Sequence, residues 1–199
     1  MKYPPKHYQE NNINHLITVI KTYPLATLIS VENKMPLITH LPLIYNKKGK
    51  LIGHIDKNNP QAKLLKDQIP INVIFSGPDC YISPNVCKSS ELPTWNYIKV
   101  HLKGQVSAIN STETLKQSLV DLTTFMEHPE HQFKLDINHP KMHSLIHYIQ
   151  GFEIDITHWE GKFKLSRDKN ITDMSHAKEE LIRVHQTSIR SFLDSIFSR

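Results

Sequence analysis

The chain has 199 residues, a formal net charge of +5, 39% hydrophobic and 22% charged residues, with a pI near 9.1 and a mean hydropathy of −0.40. That balance excludes a disordered polyelectrolyte and suits one large domain, or one domain with a helical appendage. No run is apolar for the length of a membrane span, residues 1–7 lack the apolar core of a secretory leader, and two cysteines, Cys80 and Cys87, are too few for a disulfide framework, so no membrane contact and a reducing cytoplasm are expected.

In chain order, Ile13, Leu16, Ile17 and Ile20 recur at helical spacing within residues 10–22, with Asn11 or Asn12 as cap. Residues 24–31 favour strand, and a polar break at Glu32, Asn33 and Lys34 leads into residues 36–44, so the two read as an antiparallel pair. Residues 46–49 form the next turn and residues 51–55 the third strand. Asn58, Asn59 and Pro60 make a helix entry, because Asn caps free N–H groups and Pro is tolerated in a first turn, and Leu64 and Leu65 would anchor that helix. Residues 71–75 and 81–83 read as strands around a break at Ser76, Gly77 and Pro78. Residues 95–106 alternate as the longest strand, with Gly104 a bulge position.

A helix is predicted from Asn110 to about Glu127, with Leu115, Leu119, Leu122 and Met126 on one face, and a second from Pro140 to near Gly151. Phe152, Ile154 and Ile156 then alternate with Glu153, Asp155 and Thr157. Trp159, Glu160 and Gly161 are read as a turn, beyond which Phe163 and Leu165 continue the pattern. Residues 175–197 place Leu181, Val184, Ile189, Phe192 and Ile196 on an amphipathic helix. About seven strands and five helices with short connections predict a mainly β fold with α additions, a closed or nearly closed barrel. The expected division is residues 1–170 for the barrel and 171–199 for a C-terminal helix, since no repeat or linker interrupts the chain.

The chemistry-bearing motifs are few. No nucleophile elbow, P-loop or dinucleotide fingerprint is present, and only six glycines occur. No helical pair has the tight turn and basic second helix of a helix-turn-helix. His139, His143 and His147 lie at four-residue intervals, but thirteen histidines make such spacing cheap and no carboxylate completes a metal set. Basic residues gather at Lys47, Lys48 and Lys50, and again at Lys162, Lys164, Arg167 and Lys169. The net charge suits DNA, a phosphorylated cofactor or an acidic partner, and solvated turn lysines explain the first cluster equally well.

Several segments in one order resemble the PaiB family. They are Pro24-Leu-Ala-Thr-Leu-Ile-Ser30, Thr39-His-Leu-Pro-Leu43, Gly53-His54 followed by Asn59-Pro60-Gln61, Gly77-Pro78, Tyr81-Ile-Ser-Pro84, Pro93-Thr-Trp-Asn-Tyr97 with Val100, His101 and Gly104, and finally Gly151-Phe-Glu-Ile154 and Gly161-Lys-Phe-Lys-Leu-Ser166. The likeness covers roughly residues 1–168. This chain has Asn85-Val86-Cys87 where the family has Ser-Trp-Tyr, Asp56-Lys57-Asn58 where an Arg is usual, and Arg167-Asp168 in place of Gln-Asn. The resemblance implies a homodimeric FMN-binding split barrel related to pyridoxamine-phosphate oxidases, a flavoprotein carrying the label of negative transcriptional regulator.

Under that resemblance, Lys57 and Asn58 are the phosphate candidates, with His54 adding a donor; the plain alternative is a solvated loop whose Asn caps the next helix. Backbone groups of Thr39, His40, Leu41 and Pro42 can meet the isoalloxazine edge, or simply form a barrel strand whose ladder Pro42 interrupts. Asn96 offers two donors and an acceptor while Trp95 can floor the ring; a barrel-core aromatic beside a satisfied amide is the alternative. Lys164 and Ser166 stand where related oxidases face the substrate side, where a lysine stabilises a reduced anionic ring, though exposed hairpin ends explain them too. The functional expectation is an FMN-binding regulator, with DNA held through a basic surface if at all. The alternatives are an FMN-dependent oxidoreductase and a haem-binding split-barrel relative.

Overall fold

The computed structural model describes residues 4–130 and 132–186. Its regular elements are β1 (Gln9–Glu10), α1 (Ile13–Thr22), β2 (Leu25–Glu32), β3 (Met35–Pro42), β4 (Ile44–Tyr45), β5 (Lys50–Asp56), β6 (Ile69–Ile82), β7 (Thr94–Ile109), α2 (Thr112–Met126), α3 (Pro140–Leu145), β8 (Ile149–Lys164) and α4 (Ile171–Gln186). The strands form one eight-stranded sheet in the order β3-β2-β6-β7-β8-β5-β4, with β1 also paired to β8. By contacts the chain divides into two compact units, and β6, β7 and β8 each contribute residues to both.

The larger unit holds residues 11–76 and 99–161. The Asn12 side chain accepts from the Asn14 N–H and starts α1, which buries Leu16, Val19 and Ile20. Asn33 and Lys34, both at positive φ, make the two-residue turn of the β2–β3 hairpin, whose backbone twist matches the strands it joins. Ala26, Leu28 and Ser30 face inward on β2. The fully covered core of this unit includes Phe75, Phe152, Leu28, Leu43, Leu51 and Ile154. β3, at one end of the strand path, and β5, next to its other end, come close without being neighbours in it: a Cβ at Gly53 of β5 would lie 3.2 Å from Leu41 Cδ1 of β3. A seam between strands is the expected signature of a barrel that does not close by hydrogen bonds. A second cluster, Leu115, Met142 and Ile146, packs α2 and α3 together.

Among the described residues, the smaller unit holds 4–10, 77–98 and 162–186. Its core is Cys80, Ile82 and Ala177, with Val86, Cys87, Leu181 and Val184 packed around them. Asn170 caps α4 by accepting from the Asp173 N–H. The Asp173 carboxylate accepts from the backbone of Lys88 at 2.6 Å and from the Ser89 hydroxyl. Those donors, the Ser89 hydroxyl first, hold its pKa down at about 2.

Several boundaries differ from the sequence reading. The expected breaks at Ser76-Gly77-Pro78 and Trp159-Glu160-Gly161 are absent, and β6 and β8 run straight through them. Gly77 serves close packing there, because a Cβ on it would sit 3.0 Å from Ile98 Cγ2. The helix expected after Pro60 is a single 3-10 turn, Ala62–Leu64, since Asp67 and Gln68 at positive φ reverse the chain soon after. The helix expected to reach Gly151 gives way at Ile149, which pairs with Asp56 as β8 joins β5. Strand also breaks at Leu43, between β3 and β4. α4 begins four residues earlier than predicted and falls in the same unit as residues 162–170. Ile189, Phe192 and Ile196 lie outside the described residues. Among the described residues no helix is long and apolar enough to cross a membrane.

Gly104 answers to backbone approach. A Cβ there would lie 2.4 Å from Ile154 Cγ2 and 2.7 Å from the Asp155 carbonyl oxygen. The backbone oxygen cannot swing away, so Gly104→Ala is expected to destabilise the protein by about 1–3 kcal/mol. The measurement is a urea midpoint at unchanged m value, and an unshifted midpoint would count against the packing described.

Candidate functional site

Seven of the expected flavin residues lie in the larger unit. Thr39, His40, Leu41 and Pro42 occupy β3 opposite Leu28, Thr27, Ala26 and Leu25. Leu41 points into the core and His40 outward. The Thr39 hydroxyl accepts from Asn59 Nδ2 at 3.2 Å, and Asn59 Oδ1 accepts the Gln61 N–H at 2.9 Å, so Asn59 rather than Asn58 knits the loop to the strand. Asn58 is exposed, and its N–H goes to the Asp56 carboxylate at 2.7 Å.

His54 is held by α2. Its Nε2 lies 2.8 Å from Ser118 Oγ, which itself lies 2.7 Å from the Leu115 carbonyl. A hydroxyl has one proton and a carbonyl only accepts, so Ser118 donates to Leu115 and receives the hydrogen of His54 Nε2. Nδ1 is then the lone-pair nitrogen, and it is buried without a hydrogen-bond partner. Burial lowers the ring's pKa to about 4. A neutral imidazole whose one N–H is spent on Ser118 has no donor left for a phosphate.

Lys57 has a different setting. Its N–H bonds the Tyr148 carbonyl at 2.9 Å and its Nζ the His147 carbonyl at 2.7 Å. It borders a polar cavity of about 300 Å³ together with Lys66, Asn110, Thr112 and Gln150. Thr112 opens α2, whose Ser111 cap takes the Thr114 N–H. Two ammonium groups and the start of a fifteen-residue helix therefore share one hollow.

The other four candidates meet in the smaller unit. Lys164 Nζ donates to Thr94 Oγ1 at 2.7 Å and stands 5.7 Å from the Tyr8 ring centroid. One rung further, Ser166 donates to Asn96 Oδ1 at 3.1 Å, both side chains buried. Ser166 sits at φ +57, a left-handed bend that ends the strand and turns its hydroxyl to Asn96. Trp95 is half exposed, its Nε1–H on Asp79 at 3.1 Å and its ring 6.4 Å from Tyr81. Asn96, Lys164 and Ser166 line a cavity of about 290 Å³ with Tyr8, Glu91 and Lys169.

The basic cluster is occupied at home. Arg167 pairs with Glu10 at 3.0 Å, and Lys169 pairs with Glu91. The three histidines at four-residue spacing have separate roles: His139 Nδ1 caps α3, His143 Nδ1 meets Lys116 Nζ at 3.2 Å, and His147 offers its carbonyl to Lys57. Among the described residues no three His, Cys, Asp or Glu side chains gather.

Comparison with known proteins places this geometry in a family. Residues 2–158 match the family described as "Putative FMN-binding domain". The chain is also 30% identical over 183 residues to a Bacillus subtilis protein named protease synthase and sporulation protein PAI 2, covering 90% of this chain and 88% of that relative. The chain belongs to the PaiB family. Two solved structures share its fold at lower identity. A protein from Mycobacterium smegmatis, named as FAD and haem binding, superposes with a TM-score of 0.66 at 19% identity over 84% of this chain and 79% of its own. The flavocytochrome Anf3 from Azotobacter vinelandii gives 0.64 at 16% identity over 84% and 75%. The architecture is thus the mainly β split barrel with flanking helices.

Within the PaiB pattern, the structure adds residues that sequence reasoning passed over. Gln61 and Ser30 are each 1% exposed and joined by Gln61 Nε2 donating to Ser30 Oγ at 2.9 Å, which leaves Gln61 Oε1 buried without a partner. Gln61 stood in the Asn-Pro-Gln motif, so its signal was present. Lys66 and Ser118 had none, because only folding brings them to Lys57 and His54. The His54 arrangement is testable by pH. The folded ring releases its proton near pH 4 and the free ring near 6.5, so the unfolded chain binds more protons between those values. Stability is full above pH 6.5 and falls as the pH drops through that window, by about 3 kcal/mol for this group. His54→Gln should flatten the slope of urea stability against pH between 4 and 6.5; an unaltered slope would contradict the buried neutral ring.

Proposed function

We propose that this PaiB-family chain binds FMN as a homodimer in the cytoplasm and serves as a regulator of gene expression. The observation that carries the cofactor reading is the polar cavity where Lys57 and Lys66 meet the start of α2. Its donors suit a phosphate: two cations and a helix start, with no carboxylate on its walls. Lys57 stands in the stretch where the family usually carries Arg. Lys57 and Lys66 of the larger unit would hold the phosphate; in the smaller unit, taken by itself, Asn96, Lys164 and Trp95 offer amide, cation and aromatic surface of the kind a ring requires. Bound flavin would supply electron transfer at its ring; the chain's own part is to orient and neutralise it.

Support for the dimer comes from the β2–β3 face. Leu25, Val31 and Ile38 lie on one side of the hairpin at 62%, 62% and 56% exposure, an apolar patch that pairing with a second copy would cover. Free Cys80 and Cys87 suit a reducing compartment. The regulatory role rests on kinship with the sporulation protein alone. Any DNA contact through residues 162–169 would first have to break the pairs of Arg167 and Lys169.

The test is an absorption spectrum of the purified chain before and after incubation with FMN, which should show flavin bound. Lys57→Ala and Lys66→Ala are each expected to weaken FMN by about tenfold, roughly 1.4 kcal/mol; unchanged affinity in both would remove the phosphate site. A Soret band without flavin absorbance would favour the haem reading suggested by the names of the two structural neighbours. Ile38→Glu should convert a dimer to monomer by light scattering, and a parent that is already monomeric at micromolar concentration would end the dimer proposal.

A further inference from the structure

The smaller unit contains a second cavity, of about 470 Å³, beneath the first turns of α4. It lies within the ~300–1,000 Å³ range of small-molecule sites. Ile98, Leu165, Met174 and Leu181 make its walls. The helix contributes Ile171, Met174, Ser175, Lys178 and Leu181, spacings of three, four, seven and ten that define one face. Ala177 and Val184 sit on the face that packs against Cys80 and Ile82.

Charge on α4 is sorted between these faces. The cavity is lined by two cations, Arg167 and Lys178, and by no carboxylate. None of the helix's three acids lines it: Asp173 is engaged by Ser89, Lys88 and Asn170, Glu180 by Arg183 at 2.6 Å, and Glu179 borders a different hollow with Val86 and His176. Arg167 spends two of its donors on the Gln9 carbonyl and Glu10, and a guanidinium has five. Of the lining residues Lys178 is exposed, and Ile171, two turns earlier on the same helix face, is 82% exposed. Apolar walls with a rim of one sign select a ligand with an apolar body and an acidic head. A ribityl phosphate suits the space poorly, because Asn96 and Ser175 are its only neutral polar side chains and Asn96 Oδ1 already takes Ser166.

We propose that this cavity binds an amphipathic monocarboxylate of the medium-chain fatty-acid class, its chain against Ile98, Leu165, Met174 and Leu181 and its carboxylate between Arg167 and Lys178. The site is built within one unit, shares only Asn96 with the flavin reading, and is tested at residues that reading does not use.

Calorimetric titration of the full chain with decanoate tests it, with decanol and decyltrimethylammonium as uncharged and cationic counterparts. Saturable decanoate binding is expected, with both counterparts weaker by about tenfold or more. Lys178→Glu, at an exposed position, should weaken decanoate about tenfold while leaving FMN affinity unchanged. Ser175→Trp should fill the space and abolish binding, with an unchanged circular dichroism spectrum as the check on folding; if that variant does not fold, Lys178→Glu decides. Absence of decanoate binding, equal affinity for decanol, or an unaffected Lys178→Glu variant overturns the proposal. So does displacement of decanoate by FMN with Lys178→Glu weakening both alike, which would assign the cavity to the flavin. Failure of FMN to bind, with decanoate binding intact, would touch only the flavin reading.

Discussion

The pairing of β5 with β8 is the constraint on which the larger unit's site depends. Seven antiparallel rungs, from Lys50 opposite Asp155 to Asp56 opposite Ile149, fix which side chains face the core. A slip of one residue would exchange the faces, turning Leu51 and Ile55 toward the side that α2 covers and taking His54 away from Ser118. The register also determines the end of the ladder. Because Asp56 and Ile149 close it, the next N–H, that of Lys57, reaches the Tyr148 carbonyl, and its ammonium reaches His147. At the other end Lys50 lies 3.1 Å from both Glu153 and Asp155, whose hydrogen bonds, that of Asp155 first, raise its pKa. One strand pair thus sets both a charge clamp and the wall of the two-lysine cavity.

Polar groups in this protein are arranged so that most are spent on the fold. Asp173 ties the loop after Cys87 to α4, His54 ties β5 to α2, and Gln61 ties the chain after β5 to β2. Such side chains cost desolvation and persist because each finds a partner. The two buried atoms without one among the described residues, His54 Nδ1 and Gln61 Oε1, both lie in the segment that carries the family motif. The net charge of +5 is likewise less available than the composition implies, since Arg167, Lys169 and Lys50 are all paired. Free positive charge is left at particular places, Lys178 among them.

Amino-acid order alone carried the strand-rich plan, the cap of α1, the polar turn before β3 and the family motifs. These depend on local alternation, capping chemistry and short spacing, which a linear reading contains. It mistook Gly77 for a break, because a glycine admitted for close packing looks identical to one admitted for a turn, and it read a turn at Gly161, which lies within β8. It carried the helix beyond Tyr148, because the ladder with β5 that overrides local preference joins residues about a hundred positions apart.

The candidate sites divide the same way. Residue types and their motifs were enough to single out Lys57, Asn96, Lys164 and Ser166. Tertiary structure alone decided that Lys66 joins Lys57, that Ser118 takes the only N–H of His54, and that Arg167 and Lys178 share an apolar hollow. The reason is physical: a side chain's partners, burial and charge state follow from neighbours in space, and those neighbours exist only after long-range strand pairing and helix docking have brought them together.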